Sequence, residues 1–471
     1  MPPKRPDSLS AAIAGSAAAL IGRGQGVALA GMGRVLDADL SGAHVLLRTS
    51  KQLFAALALI ELDGVAARIV ICPPDVKREH LPSLIQRAAI DVVVSDDAVL
   101  AVDDVRFEQL HLPKQTQACL PLVGEAHPKG EVVSACEGDH LGAERKLKPV
   151  GVKTEWVLFT SGTTGVPKMV AHTLEGLTGA IAPGAAEGVV WGTFYDIRRY
   201  GGLQILLRAL VGQVSLILSD ADEDVADFLA RLGRHGVTHL TGTPSHWRRV
   251  LMSPANAAIE PHYVRLSGEI ADQAILDSLK ARFPSVPVGH AYASTEAGVG
   301  FEVTDGLEGF PACYLDRDGP VQMKIVDGTL RIRSPRAALG YVGGELALVE
   351  DGWVDTTDMI ECRGERCYFA GRTGGIINVG GMKINPEEVE AVINRQPGVR
   401  MSRVSGRKSP ITGAIVIADV VLAVAANDDK TFKDEILAAC RAALPAFKVP
   451  AQLRFVDKLE LTAGGKLSRH A

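Results

Sequence analysis

Apolar positions along this chain follow two patterns that alternate, one with helical spacing and one nearly continuous. Residues 51–62, KQLFAALALIEL, have helical apolar spacing behind Thr49 and Ser50 as capping residues, and ARIVIC beyond Gly64 reads as a buried strand. The next unit repeats the order, with LPSLIQRAA as helix and IDVVVSD as strand. WGTFY, VSLILSD and VTHLTGT follow as strands, separated by GGLQILLRALVG and DVADFLARLGRHG with helical spacing. This alternation predicts an α/β fold with largely parallel sheets, because parallel neighbours need a crossover helix between them. At the start, Asp7, Ser8 and Ser10 read as caps of an Ala-rich first helix within AAIAGSAAALI, in preference to a signal peptide, since no convincing cleavage site follows.

The pattern changes near residue 311. VQMKIVDGTLRIRS, GWVDTTDMIEC and RCYFAGR alternate with period two and predict antiparallel hairpins, a small barrel-like β portion, with a turn at Asp327–Gly328. After a Gly-rich stretch, NPEEVEAVINRQPGV starts a helix with Asn385 as cap, Pro386 in the first turn and Glu387 and Glu388 at its positive end. The strand ITGAIVIADVVLAVA and the helix TFKDEILAACRAAL complete a unit of roughly a hundred residues, a normal size for a small α+β domain. The expected division is therefore a large domain over residues 1–373 and a smaller, mobile one over 374–471, with the boundary at Gly374.

Composition narrows the functions. The 471 residues carry a net charge of -5, which offers no basic footprint for duplex nucleic acid. Seven cysteines, none in a CxxC, argue against a disulfide framework or a structural zinc site and for a reducing, cytoplasmic setting. No apolar run reaches the 18 residues of a membrane-spanning helix.

Five segments carry chemistry. TSGTTGVPK, Thr160 to Lys168, follows the strand WVLF and concentrates Thr160, Ser161, Gly162, Thr163, Thr164, Gly165 and Lys168. Glycines let backbone N–H groups approach an anion, hydroxyls add donors, and a phosphate chain is the natural guest. YASTE, from Tyr292 to Glu296, places a carboxylate at the end of a strand, where it suits Mg2+ carrying phosphate oxygens. DTTD, ending at Asp358, offers a carboxylate to vicinal hydroxyls. Arg372 precedes the glycine-rich INVGGMKI, and TAGGKLSR near the C-terminus holds Lys466 in a glycine loop as a mobile point charge.

In this order and spacing, the five segments resemble those of the adenylate-forming superfamily of acyl-CoA synthetases, non-ribosomal adenylation domains and firefly luciferase, most like a stand-alone acyl- or aryl-CoA ligase. The resemblance implies a two-step reaction: a carboxylic acid and ATP give acyl-adenylate and pyrophosphate, then the thiol of CoA displaces AMP. An alternative acceptor is the phosphopantetheine of a carrier protein. Carried over by residue, Thr160 to Gly165 and Lys168 form the phosphate loop, Thr295 meets the α-phosphate, Glu296 holds the metal, and Gly268, Glu269 and Tyr292 flank adenine. Asp358, assisted by Arg372, binds the ribose, and Lys466 bridges the carboxylate and the α-phosphate. Gly374 serves as hinge, and Gly380 and Gly381 line a thiol tunnel. For the acyl pocket, Tyr195 and Tyr200 are alternative gates, and Ala291, Ala293, Gly298 and Gly300 suggest either room or tight packing. Arg198 and Arg199 either meet a polar substrate or the acceptor's phosphates, or form a solvated pair. Thr357 departs from the family, which often has glycine before the ribose aspartate. A nucleotide-binding regulator without turnover would not need Lys466.

Overall fold

The computed structural model describes residues 7–97, 105–112, 151–160, 167–182, 187–343, 348–379, 381–409, 413–423, 429–462 and 464–468. Two large, mainly parallel sheets dominate them. In one, the strands run in the order Gly298–Val303, Val288–Ser294, Tyr263–Ser267, His239–Gly242, Val190–Thr193, Ser215–Leu218, Ala19–Gly22, Gln25–Ala28. In the other the order is Gly340–Tyr341, Lys168–Thr173, Glu155–Thr160, Arg68–Ile71, His44–Leu47, Val92–Ser95, Arg106–Gln109. Their inner faces share one core with the helices Gln52–Leu62 and Tyr200–Val211. Every residue of Gln52–Leu62 except Phe54 is buried, as expected of a helix that is apolar all round.

An antiparallel sheet follows, ordered Phe310–Pro311, Arg366–Arg372, Trp353–Arg363, Thr329–Arg333, Gln322–Val326. Asp327 and Gly328 both take positive φ, as the hairpin signal required. The C-terminal unit packs the helices Pro386–Asn394 and Asp429–Ala443 against the strands Val399–Ser409, Gly413–Leu422 and Gln452–Phe455 around its own core.

Three local expectations are corrected, and a fourth, the Asn385 cap, is met in position. The first helix is only Leu9–Ala12, capped by Ser8, and Ala19–Gly22 is a strand, because Leu20 and Ile21 fill a parallel register beside Leu216 and Ile217. Lys51, not Thr49 or Ser50, is the cap residue of Gln52–Leu62. Asn385 stands at its cap position without a side-chain capping bond. Cys362 and Cys367 form a disulfide: the hairpin register sets them opposite each other with Cα atoms 3.9 Å apart, a placement that cysteine spacing alone does not reveal. It is a local cross-link, not a framework.

Candidate active site

The site forms where parallel strands end, the position at which α/β sheets bind ligands. Trp156, Val157, Leu158 and Phe159 anchor the strand that ends at Thr160, and the antiparallel return strand sets Lys168 opposite Thr160. The predicted phosphate loop spans that turn; Ser161, Gly162, Thr163, Thr164 and Gly165 lie outside the described residues, as does Gly380. The Lys168 amine stands 5.1 Å from the centre of the Tyr341 ring, and the Tyr341 hydroxyl donates to Glu296 Oε1 at 3.4 Å. Burial, then the Glu296 charge, pushes the Tyr341 phenol up to about 12, so it stays protonated and can donate. Tyr341 thus links Lys168 to Glu296. Sequence reasoning missed it, and the aromatic residue in GYVGG was the available signal.

No cluster of three or more acidic, histidine or cysteine side chains that could hold a metal exists among the described residues. A lone Glu296 fits Mg2+, which is ordinarily held by one or two carboxylates together with substrate phosphates and water.

Asp358 is buried, with Arg372 Nε donating to Oδ1 at 2.7 Å and Tyr292 Oη donating to Oδ2 at 2.5 Å. Cross-strand register brings Arg372 opposite Asp358. The Tyr292 ring lies nearly parallel to Phe301 and Phe369, with centroids 5.6 and 5.1 Å away. Burial, and then Asp358, raises its phenol well above the usual range. Tyr292 therefore belongs to an aromatic wall and also orients the carboxylate.

Beside it, Thr357 holds φ at +60° while exposed to solvent. A left-handed conformation costs a β-branched residue about 1–2 kcal/mol, partly offset in a glycine by its greater unfolded-state entropy of about 0.5–1 kcal/mol. Thr357→Gly is therefore expected to stabilise the fold by roughly 0.5–1 kcal/mol, read as a higher midpoint in urea at unchanged slope. A lower midpoint would mean that Thr357 makes a compensating contact.

The loop carrying Lys466 reaches this site from the C-terminal unit. Thr462 and Lys466 close a turn, with Thr462 N donating to Lys466 O at 2.7 Å. A Cβ placed on Gly268, where φ is +86°, would lie 3.4 Å from Lys466 Cε and 4.0 Å from its Nζ. Lys466 itself is exposed. Desolvation, followed by the charge of Arg372, lowers its pKa below the usual lysine value, while Glu269 and Asp358 oppose the shift. The Glu269 carboxylate accepts bonds from Ser245 N, Ser245 Oγ and Leu467 N, so its side chain engages the loop.

On the acyl side, Tyr195 is buried and donates to Ser267 O at 2.8 Å, and Tyr200 is buried 5.7 Å from the His172 ring. The solvated reading of the arginine pair is corrected. Arg198 is only 3% exposed and is held by Asp196, Thr49 O and Ser50 O. Arg199 pairs with both Asp75 oxygens at 2.6 Å. Ala291 is buried and Ala293 half-buried beside the helix Tyr200–Val211. Gly298 and Gly300 do not mark free space: a Cβ would come 2.4 Å from Arg336 O and 3.1 Å from Tyr292 Cδ1, respectively. Gly374 and Gly381 are exposed with open space around them, and only Gly381 has positive φ, +87°.

The AMP-binding enzyme family matches residues 43–346, and the AMP-binding enzyme C-terminal domain matches residues 388–466. A 2-succinylbenzoate–CoA ligase of Listeria monocytogenes is 28% identical over 335 residues, covering 67% of this chain and 68% of the relative. One from Bacillus velezensis is 26% identical over 393 residues, covering 77% and 79%. Among solved structures, the Bacillus subtilis o-succinylbenzoate CoA synthetase in complex with its acyl-adenylate intermediate superposes with a TM-score of 0.67 at 18% identity, covering 96% of this chain and 94% of that one. An anthranilate CoA ligase in complex with anthranoyl-AMP superposes at 0.71 with 16% identity, covering 96% and 93%. At those identities the structures speak for the fold.

Proposed function

Because the chain belongs to the AMP-binding enzyme family, we propose that it is an AMP-forming ligase that joins a carboxylic acid to the thiol of CoA. The observation that carries this reading is the Lys466 loop, seated over Gly268 with Arg372 and Asp358 near enough for their charges to act on the lysine. Binding ATP alone needs no second cation delivered from another unit. In the first step a carboxylate oxygen attacks the α-phosphorus, and the bond to the β-phosphate breaks. Two anions must meet, so catalysis rests on positioning and charge neutralisation. Lys466 bridges the two, Thr295 contacts the α-phosphate, and Lys168 and the loop from Thr160 to Gly165 hold the outer phosphates. Glu296, oriented by Tyr341, would hold Mg2+, which supplies further neutralisation of phosphate charge when bound. Asp358 takes the ribose hydroxyls. In the second step the CoA sulfur attacks the acyl carbon, the thiol proton is lost, and AMP leaves.

CoA is favoured over a carrier protein as acceptor because the relatives are named as CoA ligases. The same names make 2-succinylbenzoate the first acid to test, with anthranilate and other aryl and short acyl acids beside it. Pyrophosphate release across this panel, with and without CoA, tests the proposal. Acid-dependent release with thioester formation is expected; no acid-dependent release would sink it, and release that never leads to a CoA thioester would remove CoA as acceptor. No helix of the described residues is long and apolar enough to cross a membrane, and we place the reaction in the cytoplasm, where ATP and CoA are available.

The division at Gly374 is also a proposal, supported by the open, exposed turn Thr373–Gly375 between the two units. Gly374→Pro fixes φ and should restrict rotation about this turn. With the present pose retained, thiolysis of supplied acyl-adenylate should slow about tenfold more than pyrophosphate release. Normal rates for both steps in a well-folded variant would remove Gly374 as hinge.

A further inference from the structure

Around Lys466 several hydrogen bonds join the C-terminal loop to the large domain. Leu467 N donates to Glu269 Oε1 at 2.6 Å. The other Glu269 oxygen accepts from Ser245 N at 2.9 Å, at the start of the helix Pro244–Met252, and Ser245 Oγ donates to Oε1 at 3.0 Å. Thr243 Oγ1 donates to Gly465 O at 2.7 Å while accepting from His246 N at 3.1 Å. Residues on both sides of Lys466 are therefore bonded to the large domain through their main chain.

The fit is also steric. Gly465 has φ of +71°, and a Cβ there would fall 1.8 Å from His246 Cε1. That ring cannot easily move away. It stacks on Phe194 at 5.3 Å, and its Nδ1 accepts from Thr243 N at 3.2 Å. Burial lowers the His246 pKa to about 3, so the ring is neutral near pH 7 and contributes shape rather than charge. Gly464 lies over Arg199, where a Cβ would be 3.5 Å from Cδ, and Asp75 fixes that arginine.

We propose that Glu269 and Thr243, with the face of His246, form a latch that holds the Gly464–Leu467 loop so that Lys466 stays over Gly268. Glu269 is a positioning residue here. The inference rests on the two-step reading above: the latch must close for adenylation and release before the thiol step. A carboxylate accepting from a main-chain N–H suits this task, because such charge-assisted bonds are strong and depend on geometry. Thr243 adds a second anchor on the other side of the lysine.

The test uses the full chain and separates the half-reactions. Glu269→Ala should lower acid-dependent pyrophosphate release about tenfold more than it lowers thiolysis of supplied acyl-adenylate. Glu269→Gln, which keeps an acceptor, should recover part of the loss. Gly465→Ala should show the same bias, and adding His246→Ala should restore at least about tenfold of adenylation by removing the ring that the new methyl meets. A purely structural Glu269 would slow both steps alike, and no single contact would be relieved by the double change. A second readout needs no activity. Trypsin cleaves after lysine only where the main chain can enter its active site, so cleavage at Lys466, followed by mass spectrometry, should be several-fold faster in Glu269→Ala than in the parent. Equal cleavage and equal loss in both half-reactions would overturn the latch. A parent enzyme without acid-dependent pyrophosphate release would instead overturn the ligase reading, and the trypsin comparison would still decide the latch.

Discussion

Lys466→Ala is expected to abolish acyl-adenylate formation while leaving thiolysis of supplied acyl-adenylate largely intact. The lysine is the cation delivered by the loop onto Gly268, and the carboxylate and α-phosphate repel each other without it. Loss of one pre-positioned charge at a developing anionic centre costs about 3–4 kcal/mol, or on the order of a hundred- to a thousandfold in rate. The thiol step attacks an acyl carbon that is already activated, and rotation about Gly374 would carry Lys466 away from it. The pH profile supplies a control. Desolvation and Arg372 lower the Lys466 pKa, so its charge is lost at a lower pH than that of an ordinary lysine. Adenylation should therefore show a basic limb below the usual lysine range, and thiolysis should lack it. Equal loss in both half-reactions would make Lys466 a structural residue.

Glu296→Gln should weaken the Mg2+ dependence of adenylation and lower its rate by about tenfold or more at saturating metal, roughly 1.4 kcal/mol. Glutamine preserves shape and an acceptor for the Tyr341 hydroxyl but removes the charge that attracts a divalent ion. Among the described residues no cluster of acidic, histidine or cysteine side chains offers a substitute site. Tyr341→Phe should give a milder version of the same shift, since it removes the hydroxyl that orients Glu296 and keeps the ring beneath Lys168. Unchanged Mg2+ dependence in Glu296→Gln would remove that residue from the metal site.

Much of the fold was legible because period and composition are local properties. Gln52–Leu62 is apolar on every side, so the chain itself marks it as an interior helix. The strand ending at Thr160, the hairpin at Asp327–Gly328 and the helix Pro386–Asn394 likewise announce themselves through runs, turn residues and first-turn charges. The chemistry-bearing segments were legible only together: Gly, Ser and Thr are ordinary turn residues one segment at a time, and the order and spacing of all five carried the reading.

What remained hidden depended on residues distant in sequence. Ala19–Gly22 reads as a continuation of an Ala-rich helix until Leu216 and Ile217 offer it a parallel register. Arg198 and Arg199 look like a surface pair, and tertiary packing alone supplies the partners Asp196, Thr49 and Asp75 that bury or pin them. Glu269 is nearly two hundred residues from Leu467, and no local pattern indicates that its carboxylate meets that main-chain N–H. Local periodicity and turn chemistry thus determined most of the elements, because both act within a few residues of chain. The pairing of charges, the placing of Tyr341 between Lys168 and Glu296, and the seating of Lys466 were decided only by the tertiary structure, since each depends on distances that folding creates.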